Sequence, residues 1–263
     1  MASRPPSIVS ENKPPVIGAA PEGARDQDSA ARAVREMFTS IAPRYDLLNH
    51  VLSLNVDRLW WRRTARTFRH ILLRPQARVL DLCCGTGDMA FALRRHAGKI
   101  APQILGADFS HAMLQRALSK SIGLNGLSPA WIEADALSLP LPRARFDLVT
   151  SAFGFRNLAD YDRGLREIVR VLRPGGECGI LDFSEPKGMM GALYRIYFKE
   201  VLPRVGTMIS GVRGPYAYLP ASVQRFPEPQ EMLQRMKTAG FAEATWTPYT
   251  FGIAGLYRGK KSV

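Results

Sequence analysis

Cysteine is scarce in this 263-residue chain: there are three, two of them adjacent at Cys83 and Cys84. That leaves neither an even disulfide framework nor the paired CxxC units of a zinc site, so no metal is expected and a reducing, cytoplasmic setting fits. Nowhere do about 18 uncharged apolar residues run together, which argues against a membrane-spanning helix. The start lacks an apolar run behind a basic flank, which speaks against a signal peptide. Residues 1–30 contain no aromatic side chain and five prolines. They bury too little to offset the entropy of ordering, and a disordered tail is expected there. Repeats of about 20 to 50 residues are absent too, which excludes a solenoid. Acids are in short supply: 36 Lys and Arg face 23 Asp and Glu, a net charge of +13. Residues 1–30 carry three cations and four acids, so the rest holds +14. Such an excess favours an anionic partner, nucleic acid or an acidic membrane surface, and says nothing about fold.

What is present has a globular balance, with 46% hydrophobic and 22% charged residues, enough for a single domain over 31–263. Short β-branched runs alternate with helical stripes, the rhythm of an α/β fold with a parallel sheet. Strands are expected at 78–83, 104–109, 130–134, 146–152 and 178–183. Helices are expected at 88–97, 110–120 and 160–172, the last stopped by Pro174-Gly175-Gly176. After a helix at 228–239, strands 241–249 and 253–257 should form an antiparallel pair at one sheet edge. Residues 31–76 read as a helical cap, 77–183 as the ligand-binding half, and 184–226 as an insertion covering the carboxyl edge. Residues 227–263 return the chain to the sheet.

The densest signal is Val79-Leu80-Asp81-Leu82-Cys83-Cys84-Gly85-Thr86-Gly87-Asp88, a strand entering a glycine turn and then a helix. The glycines permit close backbone approach, and the helix start offers free N–H groups, which together suit a nucleotide-like ligand. The third glycine of GxGxxG is missing, and acids stand at both ends of the loop. That placement is poor for pyrophosphate and good for an ammonium or sulfonium charge. Asp108, 21 residues after Gly87, is placed to accept bonds from two ribose hydroxyls, and Asp135 to meet an adenine amino group. The Cys83-Cys84 pair reads as small packing residues and not as nucleophiles, since no histidine or metal context accompanies it.

These residues resemble the class I S-adenosylmethionine-dependent methyltransferases, whose sheet is Rossmann-like. Outside the glycine loop the likeness narrows. Tyr45-Asp46-Leu47-Leu48-Asn49 with Ser53 and Trp60 is similar to the amino-terminal motif of the UbiE/MenG/COQ5 family of quinone-biosynthesis C-methyltransferases. Arg170 to Gly176 with Asp182-Phe183-Ser184 resembles its second motif. Phe153-Gly154-Phe155-Arg156-Asn157 and Tyr216-Ala217-Tyr218-Leu219-Pro220 with Ser222 also match, so the resemblance runs from about Val34 to Lys260. Leu48, Asp57 and Asp182 depart mildly from the family pattern. Ala152 stands where some members have Ser, so no cofactor contact is carried over there.

The resemblance implies C-methylation of a prenylated quinol, demethylmenaquinol or a methoxybenzoquinol, with S-adenosylmethionine as cofactor. It implies cofactor contacts at Asp81, Gly85, Thr86, Gly87, Asp108, Asp135 and Ala136, catalytic roles for Arg156, Asn157 and Tyr45, and substrate contacts at Tyr216 and Tyr218. Arg156 is expected to hold its guanidinium beside a quinol oxygen and favour the deprotonated form. Arg58, Arg62, Arg66 and Arg69 follow a near-helical spacing with Trp61, Ala65, Phe68 and Leu72 on another face. The basic side is either a solvated surface or an attachment to anionic lipid at the inner face of the cytoplasmic membrane. A nucleic-acid partner is not expected: the segment after the fourth strand is not the Pro-Pro-aromatic loop of base methylation, and no basic module is appended. A small-molecule O- or C-methyltransferase of another substrate class is the alternative, and a homo-oligomer stays open.

Overall fold

The computed structural model describes residues 16–19, 21, 23–46, 53, 55–99, 102–123, 128–186, 188, 191 and 215–263. The family-like residues Leu47-Leu48-Asn49, residues 1–15 of the expected tail and most of the 184–226 insertion lie outside them. Seven strands are described: β1 (Arg78–Leu82), β2 (Gln103–Asp108), β3 (Ala130–Glu133), β4 (Phe146–Ala152), β5 (Leu172–Phe183), β6 (Phe241–Tyr249) and β7 (Ala254–Lys261). Helices α1 (Gln27–Ile41) and α2 (Val56–Thr67) precede the sheet. Helices α3 (Asp88–Ala97), α4 (His111–Ser121) and α5 (Tyr161–Val171) lie between strands, and α6 (Pro215–Arg225) and α7 (Pro229–Ala239) lead into the final pair.

The strand order is β3-β2-β1-β4-β5-β7-β6. Strands β1 to β5 pair in parallel, while β7 runs antiparallel to both β5 and β6. Order reverses between β1 and β4, the point where an open α/β sheet leaves a crevice beyond its strand ends. Successive side chains of a strand point to opposite faces, and both faces are apolar because helices cover both. Leu80 and Val149 accordingly pack into one core with Tyr161 and Leu165, while Val79 and Leu148 pack into the other with Phe68 and Leu93.

Three sequence expectations change. The strand expected at 178–183 begins at Leu172: Phe146 pairs with Leu172 and Leu148 with Glu177, so residues 173–176 are a bulge inside a longer strand. The expected helix does stop here, α5 ending at Val171, but Pro174 has no N–H to give the ladder and Gly175 takes φ +71°, so the same residues also kink the strand that follows. The basic stretch from Arg58 is broken at Phe68, where α2 gives way to one helical turn at Arg69–Leu72. The expected tail is corrected over its later part. Gly18 and Ala19 donate backbone hydrogen bonds of 2.9 and 2.7 Å to the carbonyls of Ala159 and Leu158. A Cβ on Gly18 would lie 1.9 Å from the Leu158 oxygen, so only glycine permits this docking. Asp26 and Ser29 then cap α1 reciprocally. Order comes here from backbone pairing and a capping box, neither of which needs aromatic residues.

Candidate functional site

A cavity opens at the carboxyl ends of β1, β2 and β4, under a cover formed by α1 and Tyr45. Two of its acids, Asp81 and Asp108, come from strand ends, because a carboxylate there is desolvated by the sheet yet still faces the crevice. Asp81 is fully buried and accepts a 2.8 Å hydrogen bond on Oδ1 from the Thr150 hydroxyl of β4. Its Oδ2 is buried without a hydrogen bond of normal geometry. Burial pushes the Asp81 carboxyl up to about 7, while Thr150 and the Ala90 N–H pull it back down. Asp108, at the end of β2, accepts from the Gly85 N–H (2.8 Å) and the Ser110 N–H (2.9 Å). It is also pushed up by burial, to about 6. Asp135 accepts from the Leu137 N–H at 2.9 Å, which fixes the loop after β3 and places Ala136 in the cavity wall.

The turn itself is built by left-handed residues. Cys83 takes φ +53°, ending β1 one residue earlier than expected, and Gly85 and Gly87 take φ +53° and +86°. At Gly85 a Cβ would meet only the Tyr45 ring, at 3.9 Å, so the backbone lies bare to the cavity. Gly87 is different: a Cβ there would stand 2.5 Å from the Trp131 ring. The cavity wall includes Gly85, Thr86 and Asp88 but not Gly87. Gly87 therefore also serves packing, with Trp131 held against the turn. Cys83 and Cys84 have thiols pushed well up, first by burial and then by the neighbouring Asp108. They stay protonated, which suits packing residues.

Beyond β4 the sequence-predicted residues separate. Phe153 takes φ +60° and lies 4.7 Å, ring to ring, from Phe183. Asn157 reaches the cavity wall, and its Oδ1 accepts from the Tyr218 hydroxyl of α6 at 3.2 Å. Burial pushes the Tyr218 phenol up to about 12, so it stays a neutral donor. Tyr45 also lines the cavity, edge-on to Phe38. Tyr216 belongs to α6, and its side chain lies outside the described residues.

Arg156 does not stand in the cavity wall, and the expectation that it presents a guanidinium to a ligand is corrected. Only 6% exposed, it donates from its backbone N–H (3.0 Å) and from Nη1 (2.9 Å) to the two oxygens of Asp182. It also donates to the Phe153 carbonyl and, from Nε at 3.3 Å, to the Ser222 hydroxyl. Asp182, at the end of β5, has no exposure at all. Burial pushes its carboxyl up, against the pull of Arg156. A carboxylate in that position needs a cation, and Arg156 supplies it. Sequence reasoning quoted Asp182 and Ser222 as motif residues but gave them no task; their partner lies 26 and 66 residues away. It also gave no role to Lys120, which no motif contains.

A model of the ubiE/COQ5 methyltransferase family matches residues 25–261. The demethylmenaquinone methyltransferase of Deinococcus radiodurans is 49% identical over 255 residues, 97% of this chain and 100% of that protein. The demethylmenaquinone methyltransferase of Thermus thermophilus is 47% identical over 226 residues, 86% of this chain and all of that one. The ubiquinone/menaquinone biosynthesis C-methyltransferase UbiE of Geobacter sulfurreducens is 40% identical over 88% of this chain and 89% of its own. Among solved structures, a SAM-dependent methyltransferase from Thermotoga maritima superposes with a TM-score of 0.58 at 18% identity, covering 87% of this chain and 100% of that one. The cyclase SpnF superposes at 0.65 with 19% identity, covering 89% and 97%. The two superpositions establish the fold alone.

Proposed function

This chain belongs to the ubiE/COQ5 methyltransferase family, and from that membership we propose that it methylates a ring carbon of a prenylated quinol, with S-adenosylmethionine as methyl donor. The observation that carries the reading is likeness at 49% and 47% identity, over nearly all of each relative, to two demethylmenaquinone methyltransferases. Demethylmenaquinol, converted to menaquinol, is accordingly the substrate. A panel of demethylmenaquinol and methoxybenzoquinol analogues tests this choice: the naphthoquinol ring should accept the methyl group, and exclusive methylation of the benzoquinol would overturn it.

The cavity fits the cofactor on its own geometry. Asp81 Oδ2, buried and unsatisfied, suits an ammonium group, because an opposite charge repays the desolvation of the carboxylate. Asp108 keeps lone pairs for two ribose hydroxyls, Asp135 and Ala136 flank the adenine end, and the bare backbone at Gly85 with Thr86 admits the ligand closely. When bound, S-adenosylmethionine supplies an electrophilic methyl group. The protein's own task is then position and electrostatics. Asn157, steadied by the Tyr218 hydroxyl and by its own Nδ2 bond to the Phe153 carbonyl at 3.5 Å, offers its second amide N–H toward a quinol oxygen, and Tyr45 closes the cavity above Gly85. Arg156 acts through Phe153, Asn157 and Ser222, as a positioning residue.

The raised carboxyls set a pH dependence. Asp81 protonated cannot pair with an ammonium, so cofactor binding requires its ionised form. Affinity is expected to rise by up to about tenfold per pH unit below 7 and to level off above it, in line with a carboxyl at about 7. Calorimetry from pH 5.5 to 8.5 checks the sign. Asp81→Asn should bind weakly and flatten the curve, and a wild-type affinity that falls with rising pH would contradict the assignment.

The prenylated substrate also needs access from lipid. Arg58, Arg62 and Arg66 stand exposed on α2, opposite buried Trp61 and Ala65. Leu59 and Phe251 are 58% and 79% exposed on either side of the 2.8 Å hydrogen bond that joins Trp60 to Thr250. Phe251 lies three residues before β7, whose first residue Ala254 pairs with Phe183 at the end of β5, so this apolar pair lies on the cavity's edge of the sheet. No described helix is long and apolar enough to cross a membrane, and contact would be peripheral. Co-sedimentation should rise with the anionic-lipid content of vesicles, fall with salt, and drop in a Leu59→Ser/Phe251→Ser variant. Equal recovery with neutral and anionic vesicles would leave the arginine face merely solvated.

A further inference from the structure

Asp46 belongs to the amino-terminal motif but does not line the cavity, and Lys120 lies on α4, away from every motif. The two meet. Lys120 Nζ donates to Asp88 Oδ1 at 2.6 Å, to the Thr86 hydroxyl at 3.1 Å and to Asp46 Oδ2 at 3.2 Å. The Thr86 hydroxyl in turn donates to Asp46 Oδ1 at 2.5 Å. Three separate pieces of chain are thus tied by one ammonium: the last turn of α4, the glycine turn with the first residue of α3, and the segment that follows α1. Lys120, Asp46 and Asp88 side chains are 30%, 25% and 20% exposed, so the cluster is wet enough to open and dry enough for its charges to matter. The Phe91 ring, 5.7 Å from Nζ, closes another side.

We propose that Lys120 is a positioning residue that clasps the Tyr45–Asp46 segment onto the glycine turn and so keeps the cover of the cavity shut over the cofactor. Thr86 and Asp88 are cavity-wall residues, and Tyr45 is the next residue to Asp46. Without the ammonium, Asp46 and Asp88 would be left as like charges facing the Thr86 hydroxyl between them, and the segment would swing out. Such a clasp acts on how tightly ligand is held, since none of its members other than Thr86 and Asp88 faces the cavity. It does not touch the reacting atoms. The inference rests on reading the cavity as the cofactor's.

Lys120→Met removes the charge while keeping most of the stem. It should raise the KM for S-adenosylmethionine about tenfold, the fold-change for a partly buried network of this size, and leave kcat within about twofold. Adding salt should raise the wild-type KM towards that of Lys120→Met and change the variant less, because screening weakens the clasp only where it exists and acts weakly on the buried Asp81. Asp46→Asn added to Lys120→Met should add little, as expected for residues in one network. Lys120→Arg should recover most of the loss. Amide hydrogen exchange of residues 42–46, measured without cofactor, should quicken in Lys120→Met. Exchange at the wild-type rate, or a deficit confined to kcat, overturns the clasp. Wild-type protein that binds no S-adenosylmethionine while exchange at 42–46 still quickens in the variant overturns the cofactor reading and leaves the clasp standing.

Discussion

Arg156→Ala should lose about 3 to 5 kcal/mol of unfolding free energy, because the truncation strands the Asp182 carboxylate in a fully buried site with no cation. The magnitude follows from geometry: Asp182 has no exposure, and the truncation removes the charged Nη1 bond to its Oδ1, leaving only backbone N–H groups, among them that of residue 156, to hold the carboxylate. The loss reaches further than the pair. Arg156 also holds the Phe153 carbonyl and the Ser222 hydroxyl of α6, so the chain after β4, where Asn157 stands, loses its anchor. Replacing both members by neutral residues, as in Arg156→Met/Asp182→Asn, should recover most of the stability, since nothing charged is then left buried and the amide oxygen can still accept from a backbone N–H of residue 156 or 183. The double variant should fold yet turn over poorly, having lost the tether to α6. Urea unfolding of the variants checks this: an Arg156→Ala protein within 0.5 kcal/mol of wild type, the ordinary scatter of about that size for surface substitutions, would show that the pair does not carry the region.

Asp108→Ala should weaken S-adenosylmethionine binding by tenfold or more. Two ribose hydroxyls lose their acceptor, at about 1 to 3 kcal/mol, and an energy of about 1.4 kcal/mol is already a factor of ten. Asp108 also accepts from the N–H groups of Gly85 and Ser110, so part of the loss comes from a loosened glycine turn. Asp108→Asn separates the two effects. Its remaining carbonyl oxygen can still serve one N–H and keep the turn, but one acceptor is gone, and affinity should stay several-fold below wild type while the melting temperature recovers. Calorimetry on both folded variants is the check. Unchanged affinity in either one would remove Asp108 from the cofactor site.

Much of the sheet was legible in the sequence because periodicity reports burial, and burial decides strands and helices. Phe146–Ala152, Asp88–Ala97 and Phe241–Tyr249 fall where the apolar pattern places them. The misreadings share a cause: they depend on partners distant along the chain. Pro174-Gly175-Gly176 follows the end of α5 as the sequence suggests, but that it lies inside a strand shows only once Leu172 is seen paired with Phe146. Gly18 looks like linker until Leu158 is found against it. The same holds at the site. Asp81, Gly85 and Asp108 are local to one motif and its following strand, and the cavity brings them together with Asp135. Arg156 sits beside Asn157 in sequence, yet their directions differ because Asp182 on the neighbouring strand claims the guanidinium. Gly87 belongs to the glycine loop by spacing and to Trp131 by contact. Lys120 has partners 32, 34 and 74 residues away, a separation that leaves no trace in local pattern.

Methyl transfer to a quinol ring carbon is read out by incubating the protein with methyl-labelled S-adenosylmethionine and a short-chain demethylmenaquinol under reducing conditions, then locating the label in the product. One labelled methyl group is expected on the vacant ring carbon, stable to conditions that cleave methyl ethers, and formed at least about tenfold more slowly by Asp108→Ala at subsaturating cofactor. Label recovered on a ring oxygen, or no transfer to the quinol by protein that binds the cofactor, would contradict it.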